Sequence, residues 1–208
     1  AYTTVGFRLF REAQANQWDT DIEAAYRSGT RYASSNPADT NSLEVRALML
    51  IAALGYTFDM AWQPRLSLEY YYASGDDDPN DNKFDQYERL FGGRRSDLNN
   101  TSIHGPLTPA NLSAPGVRLR VKPNDRLDGW FQYHATSLAS ARDRWIIAKR
   151  RDPRGQSGKF IGHTLDARLR YWLLPQRAQL EVGASALLAG DFVRQAPDEP
   201  EAEDTYFG

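Results

Sequence analysis

The sequence predicts an all-β fold, a transmembrane antiparallel up-and-down β-barrel, on three observations. Apolar and polar residues alternate with period two in one segment after another. The connections between those segments alternate between short and long. Ionised side chains keep to one face of each segment and leave the opposite face nearly free of charge.

The segments justify this in order. "TVGFRLFRE" places Val5, Phe7 and Leu9 on one face and Gly6, Arg8 and Phe10 on the other. "DIEAAYRSG" sets Ile22, Ala24 and Tyr26 against Glu23, Ala25 and Arg27. "SLEVRALMLIAALGYTF" begins with Leu43 and Val45 against Glu44 and Arg46, then turns apolar on both faces. "RLSLEYYY" opposes Leu66, Leu68, Tyr70 and Tyr72 to Arg65, Ser67, Glu69 and Tyr71. "VRLRVK" opposes Val117, Leu119 and Val121 to Arg118, Arg120 and Lys122. "TLDARLRYWLL" does the same with Leu165, Ala167, Leu169 and Tyr171 against Asp166, Arg168 and Arg170. "AQLEVGASALL" sets Leu180, Val182, Ala184 and Ala186 against Glu181, Gly183, Ser185 and Leu187. With a strand carrying Asp128 and His134, these make eight, and a ninth starts near Asp204.

Between them, "KPNDR" (122–126) and "LPQR" (174–177) are tight turns and "FDMAWQP" (58–64) is short. The segments 28–42, 75–113, 139–160 and 192–204 are long and polar. Soluble antiparallel proteins make most connections short, whereas outer-membrane barrels pair short periplasmic turns with long extracellular loops. The charge segregation agrees, since an Arg or Lys facing lipid at the midplane costs about 2–4 kcal/mol. Tyr56, Phe58, Trp62, Tyr70, Tyr72, Tyr171 and Trp172 cluster toward strand ends, as interfacial girdles do. The expectation is a single β-barrel domain over residues 1–208, of the outer-membrane porin type, in a Gram-negative outer membrane.

Composition narrows the classes. The chain has 208 residues, 41% of them hydrophobic and 12% aromatic, with a mean hydropathy of -0.63. No run reaches the roughly 20 apolar residues of a spanning helix. A net charge of -2 argues for no nucleic-acid partner. Cysteine is absent, which removes thiol chemistry and thiolate metal sites. The chain opens directly on "AYTTVGFRLF" with no signal peptide in view, and is expected to be either cytosolic or a mature or partial sequence.

The inward faces carry the candidate functional residues. They are the basic Arg8, Arg27, Arg46, Arg65, Arg118, Arg120, Lys122, Arg168 and Arg170, with the acidic Glu44, Glu69 and Asp166 among them. Guanidinium groups engage carboxylates in pairs, and several weak contacts let a polyanion pass without trapping it. Ordinary cross-strand ion pairs would produce the same pattern at any single position. Arg118, Arg120, Arg168 and Arg170 are singled out, because each of their strands presents two without an intervening acid. In "SGDDDPNDN", Asp76, Asp78 and Asn80 have the spacing of the first calcium-loop ligands. Asp81 then stands where the turn needs Gly and Tyr87 where the closing Glu belongs. An irregular calcium site in 75–85 is the remaining cofactor option, and none is required. Otherwise the loop is solvated or pinned by Arg89, Arg94 and Arg95.

Loop 139–160 is basic and suits a polymer or lipopolysaccharide, while the acidic loop 192–204 reads as solvated. His104, His134 and His163 have no metal-ligand spacing, and Ser137 and His134, three apart on a strand, point to opposite faces. There is no Gly-rich phosphate loop and no nucleophile-base pair, so no enzyme is expected.

The stretch "EYYYASGDDDPNDNKFDQYERLFGGRRSDLNN", with "GHTLDARLRYWLLP" and "LEVGASALLAGDF" downstream, resembles the bacterial alginate export family. The resemblance covers most of residues 43–207 and implies an outer-membrane channel for passive export of alginate, an anionic uronate polysaccharide. It also implies lipopolysaccharide and outer-membrane lipid as surroundings and periplasmic secretion-complex proteins as partners. Barrels of that family have about eighteen strands, more than twice this length, so the chain corresponds to the C-terminal half. The rival readings are a generic anion- or oligosaccharide-selective porin and a soluble carbohydrate-binding β-sandwich.

Overall fold

The structure, a computed structural model, describes residues 1–34, 36–88, 107–197 and 205–207. Its strands are β1 (Tyr2–Arg11), β2 (Gln17–Tyr32), β3 (Ser42–Thr57), β4 (Arg65–Ala73), β5 (Lys83–Phe84), β6 (Leu112–Asn124), β7 (Leu127–Ser137), β8 (Phe160–Leu174), β9 (Ala178–Ala189) and β10 (Thr205–Phe207). A single short helix, α1 (Asp191–Gln195), is present among the described residues. The strands form one antiparallel sheet in the order β1-β2-β3-β4-β6-β7-β8-β9-β10, with β5 parallel to β3 off this path. Neighbours in sequence are neighbours in the sheet, as an up-and-down barrel wall requires. The sheet is not closed among the described residues. No described helix is long and apolar enough to cross a membrane.

Every short connection lies at one end of the sheet and every long one at the other. The short ones are 12–16, 58–64, 125–126 and 175–177; the long ones are 33–41, 74–111, 138–159 and 190–204. Local chemistry explains the short turns. Asn124 Oδ1 accepts the backbone N–H groups of Arg126 (2.9 Å) and Leu127 (3.0 Å), a side chain standing in for backbone in a tight turn. Asn16 and Gln176 adopt positive φ of 56° and 59°, which Asn tolerates better than most residues. The 12–16 turn was not singled out from the sequence.

The two faces differ as the alternation predicts. One carries Val5, Phe7, Leu9, Leu54, Leu66, Leu68, Leu119, Phe131, Leu169, Leu180 and Val182, all strongly exposed. A water-facing surface of that extent would far exceed the apolar patches of soluble proteins. Trp18, Tyr56 and Phe58 form an edge-to-face chain at the short-turn end, with centroids 5.3 and 5.0 Å apart, where an interfacial girdle sits.

The opposite, inner face is where the molecule buries side chains. Toward the long-loop end it is apolar: Ala47, Met49, Ile51, Tyr71, Ala73, Leu112 and Ala114 pack with Tyr87 and Leu107, both contributed by the 74–111 connection. A second cluster joins Leu138, Trp145, Ile161, Leu187 and Ala189 to Phe192, Val193 and Ala196 of and around α1. Residues of three long connections, among them Tyr87, Leu107, Trp145 and Phe192, therefore fold inward over the sheet, whereas the described residues of 33–41 are largely exposed. This corrects the reading of 192–204 as solvated at its start, because Phe192 is fully buried; Asp198, Glu199, Glu201, Glu203 and Asp204 have no described side-chain environment. Apolar residues on the inner face of β3 are what made that segment look two-sided in sequence.

Candidate functional site

Cross-strand register fixes which charged residues share the inner face. One row runs Thr57–Arg65–Arg120–Trp130–Arg168–Gly183, and the next Gly55–Ser67–Arg118–Gln132–Asp166–Ser185. The third passes through Ala53, Glu69, Gly116, His134 and Thr164. Arg8 and Arg27 belong to the same face on β1 and β2. Toward the short-turn end, a groove of about 330 Å³ is lined by Phe10, Asp21, Arg65, Glu69, Arg118 and Arg120, among others.

Two glycines open the gaps through which this network connects. Arg65 on β4 reaches across β3 at Gly55 to Asp19 on β2, donating through Nε at 2.9 Å and through a second nitrogen. A Cβ at Gly55 would collide with that guanidinium. Glu69 likewise faces His134 on β7 across Gly116, with Nε2 3.6 Å from a carboxylate oxygen. A side chain at Gly116 would strike the imidazole. Glu69 also holds Arg118 at 3.1 Å and accepts from Ser67 (3.2 Å) and Tyr71 (3.3 Å). Asp166 accepts from Gln132 at 3.1 Å and from Ser185. Arg8 makes a bidentate pair with Asp21, both contacts 2.8 Å. Arg170 reaches Glu181 at 3.1 Å, and Arg168 stands 3.8 Å from Asp128 and 3.9 Å from Glu181.

Arg120 differs from its neighbours. It is exposed on the inner face, beside Arg65 and Trp130, and makes no hydrogen bond or ion pair among the described residues. The sequence reading paired Arg118 with Arg120 as two equally available cations. The structure separates them, because the neutralising Glu69 arrives from the adjacent strand rather than from β6 itself.

Several expected positions move. Arg46 and Glu44 lie on the outer face, in line with Leu48 and Leu54, at the long-loop end of β3. They pair with each other at 2.6 Å. The sequence assigned them inward because the apolar run that follows hid the phase of the alternation; they lie beyond the last outward leucine of the strand. Arg27 does face inward, but it is 2% exposed, stacked between the rings of Tyr2 (5.0 Å) and Tyr87 (4.9 Å) and bonded to Thr4. No polymer can touch it there. Lys122 sits at the short-turn end, bound to Asp125 at 3.0 Å. Asp19, Trp130 and Gln132 were missed, although "QWDTDIEAAY" continues the alternation back to Asp19.

In the loop, Asp76, Asp78 and Asn80 are linked through successive side-chain-to-backbone hydrogen bonds. Asp76 Oδ1 accepts the N–H of Asp78 and Asp78 Oδ1 that of Asn80, each at 3.3 Å. Among the described residues no three acid or histidine side chains gather as metal ligands. Asp76 N–H instead donates to Asp143 Oδ2 at 2.9 Å, where Gln86 also donates at 2.6 Å. The Ser140 hydroxyl completes the tie to Asp76 O at 2.9 Å, so loops 74–88 and 138–159 are bound together. Burial, with the neighbouring Asp143, raises the Asp76 carboxyl to about 6. His134 faces inward and Ser137 outward, as their spacing required. Arg89, Arg94, Arg95 and His104 lie outside the described residues.

An antiparallel sheet with a charge-bearing inner face and an apolar outer one fits the family that the sequence motifs resemble. The family model described as alginate export matches residues 1–207. The chain belongs to the alginate export family. Alginate export proteins are outer-membrane transport porins, not enzymes, and the substrate their family transports is alginate. No curated protein matches the chain.

Proposed function

We propose that this sheet forms part of the wall of an outer-membrane channel through which alginate passes from periplasm to exterior without an energy-coupling step, along an arginine-lined inner face. The observation that carries the reading is the row Arg65–Arg120–Trp130–Arg168, with Arg120 exposed and lacking a carboxylate partner among the described residues. A uronate chain offers one carboxylate per sugar, and an unneutralised guanidinium is the group best shaped to receive it. Arg8, Arg65, Arg118 and Arg170 are each held by an acid, so their attraction is tempered. A polymer then meets several weak sites and one stronger one, which favours passage over trapping. On this reading the apolar clusters under the loops belong to the outer end of the channel, and the charged section lies toward the periplasmic end.

The test is single-channel recording of the protein in planar bilayers, with soluble polymannuronate as blocker. Anion-selective current blocked by the polymer, with block weakened by Arg120→Gln and by Arg168→Gln/Arg170→Gln together, is the expected result. Current indifferent to the polymer would instead fit a channel for small anions or oligosaccharides and overturn the alginate pathway.

A further inference from the structure

The inner-face row has an aromatic residue at its centre that export by itself does not explain. Trp130 is 7% exposed, so it cannot stack against a sugar. Its ring is instead flanked by two guanidinium groups, those of Arg118 and Arg168, each 5.3 Å from the centroid. Arg120 is its direct cross-strand neighbour on β6 and Arg168 its neighbour on β8. Three like charges therefore surround one indole. Arg168 Nε is buried with no hydrogen-bond acceptor among the described residues, and the carboxylate oxygens of Asp128 and Glu181 stand 3.8 and 3.9 Å from its terminal nitrogens, beyond hydrogen-bond length.

Guanidinium groups crowded in this way repel one another. Proteins ordinarily relieve such repulsion with carboxylates, as Glu69 does for Arg118. A carboxylate at position 130 would do so too, but it would spend the positive potential that an anionic polymer needs. The face of an indole attracts cations through its quadrupole while carrying no net charge. It eases the crowding and leaves the field of the arginines intact.

We infer that Trp130 is a positioning residue for anion passage: its ring holds Arg118 and Arg168 in place as a neutral counter-group, keeping the Arg118–Arg120–Arg168 cluster cationic toward the lumen. This rests on the channel reading above, and the test separates the two. The protein is recorded in planar bilayers, first for reversal potential in a potassium chloride gradient and then for block by polymannuronate. Trp130→Phe keeps an aromatic face, Trp130→Met keeps bulk without one, and Trp130→Glu supplies a charged partner. The expected order has Trp130→Phe within about twofold of the parent in polymer affinity, and Trp130→Met weaker by roughly thirtyfold, the scale of one desolvated cation–π contact. Trp130→Glu is expected to shift the reversal potential furthest toward cations.

Equal reversal potentials and equal block for Trp130→Met and the parent would overturn the proposal, because the ring would then only fill space. Equal loss in Trp130→Phe and Trp130→Met would overturn it as well, since shape rather than the aromatic face would matter. Heat-modifiable electrophoretic mobility checks that each variant has folded. Should Trp130→Met fail to fold, Trp130→Phe against Trp130→Glu decides, and identical selectivity in those two refutes the idea. If the parent conducts anions but ignores polymannuronate, the alginate pathway fails, while the reversal potentials still judge Trp130.

Discussion

Leu68→Arg tests the assignment of the two faces most directly. Leu68 is in the middle of β4, is 65% exposed, and pairs across the outer face with Leu54 and Val117. None of these can hydrogen-bond a guanidinium. If the face meets lipid, an Arg near the midplane costs about 2–4 kcal/mol, or roughly 30-fold to several-hundred-fold in the folding equilibrium at about 1.4 kcal/mol per decade. If the face meets water, replacing an exposed leucine changes stability by no more than about 0.5 kcal/mol, and solubility rises. The two environments thus predict different magnitudes from one substitution. Leu48→Arg supplies the depth control. It is on the same face but next to Arg46 at the long-loop end, where the penalty falls to about 0–1 kcal/mol. The assay is urea-dependent folding into phospholipid vesicles, read by heat-modifiable mobility and tryptophan fluorescence. Equal stability of Leu68→Arg and the parent, or equal costs for Leu68→Arg and Leu48→Arg, would refute a lipid-facing outer surface.

Two further outcomes follow from the inward-folded loops. Tyr87 is buried among Ala47, Met49, Ile51 and Tyr71 and covers Arg27, so Tyr87→Ala should destabilise the loop's seat by about 3–5 kcal/mol and raise channel conductance; unchanged conductance with unchanged protease resistance of the loop would show that the packing does not narrow the pore. Asp76 holds its proton up to about 6 because burial beside Asp143 disfavours the charge, so the closed loops bind more protons than open ones between about pH 4 and 6. The contact between loops 74–88 and 138–159 should therefore be tighter at pH 4.5 than at 7.5, as read by amide exchange, and Asp76→Asn should weaken that dependence on pH. Exchange that is slower at pH 7.5, after correction for the intrinsic rate, would contradict the sign.

The sequence by itself determined the strands of the antiparallel path, their order and their rhythm, though not the short parallel β5 within 75–113, because period-two alternation is local and a tight turn is written in its own residues. "KPNDR" closes through Asn124, and the charge-free face of "RLSLEYYY" is visible without any neighbour. What the sequence left open was everything that depends on a partner strand or a returning loop. Whether Arg118 or Arg120 stays available turns on Glu69, far away in the chain and adjacent only through the β4–β6 register. The phase of β3 was illegible because Tyr87 and Leu107 fold back to bury its inner side, and that places apolar residues on both faces. Arg27 looked like a lumen cation until two rings from distant segments covered it. Trp130 carried no signal in a one-dimensional pattern, since an aromatic residue between two arginines exists only once β6, β7 and β8 lie side by side. Backbone periodicity is set by each residue's own stereochemistry, whereas the fate of a charge depends on what stands within a few ångströms, and only the tertiary structure decides that.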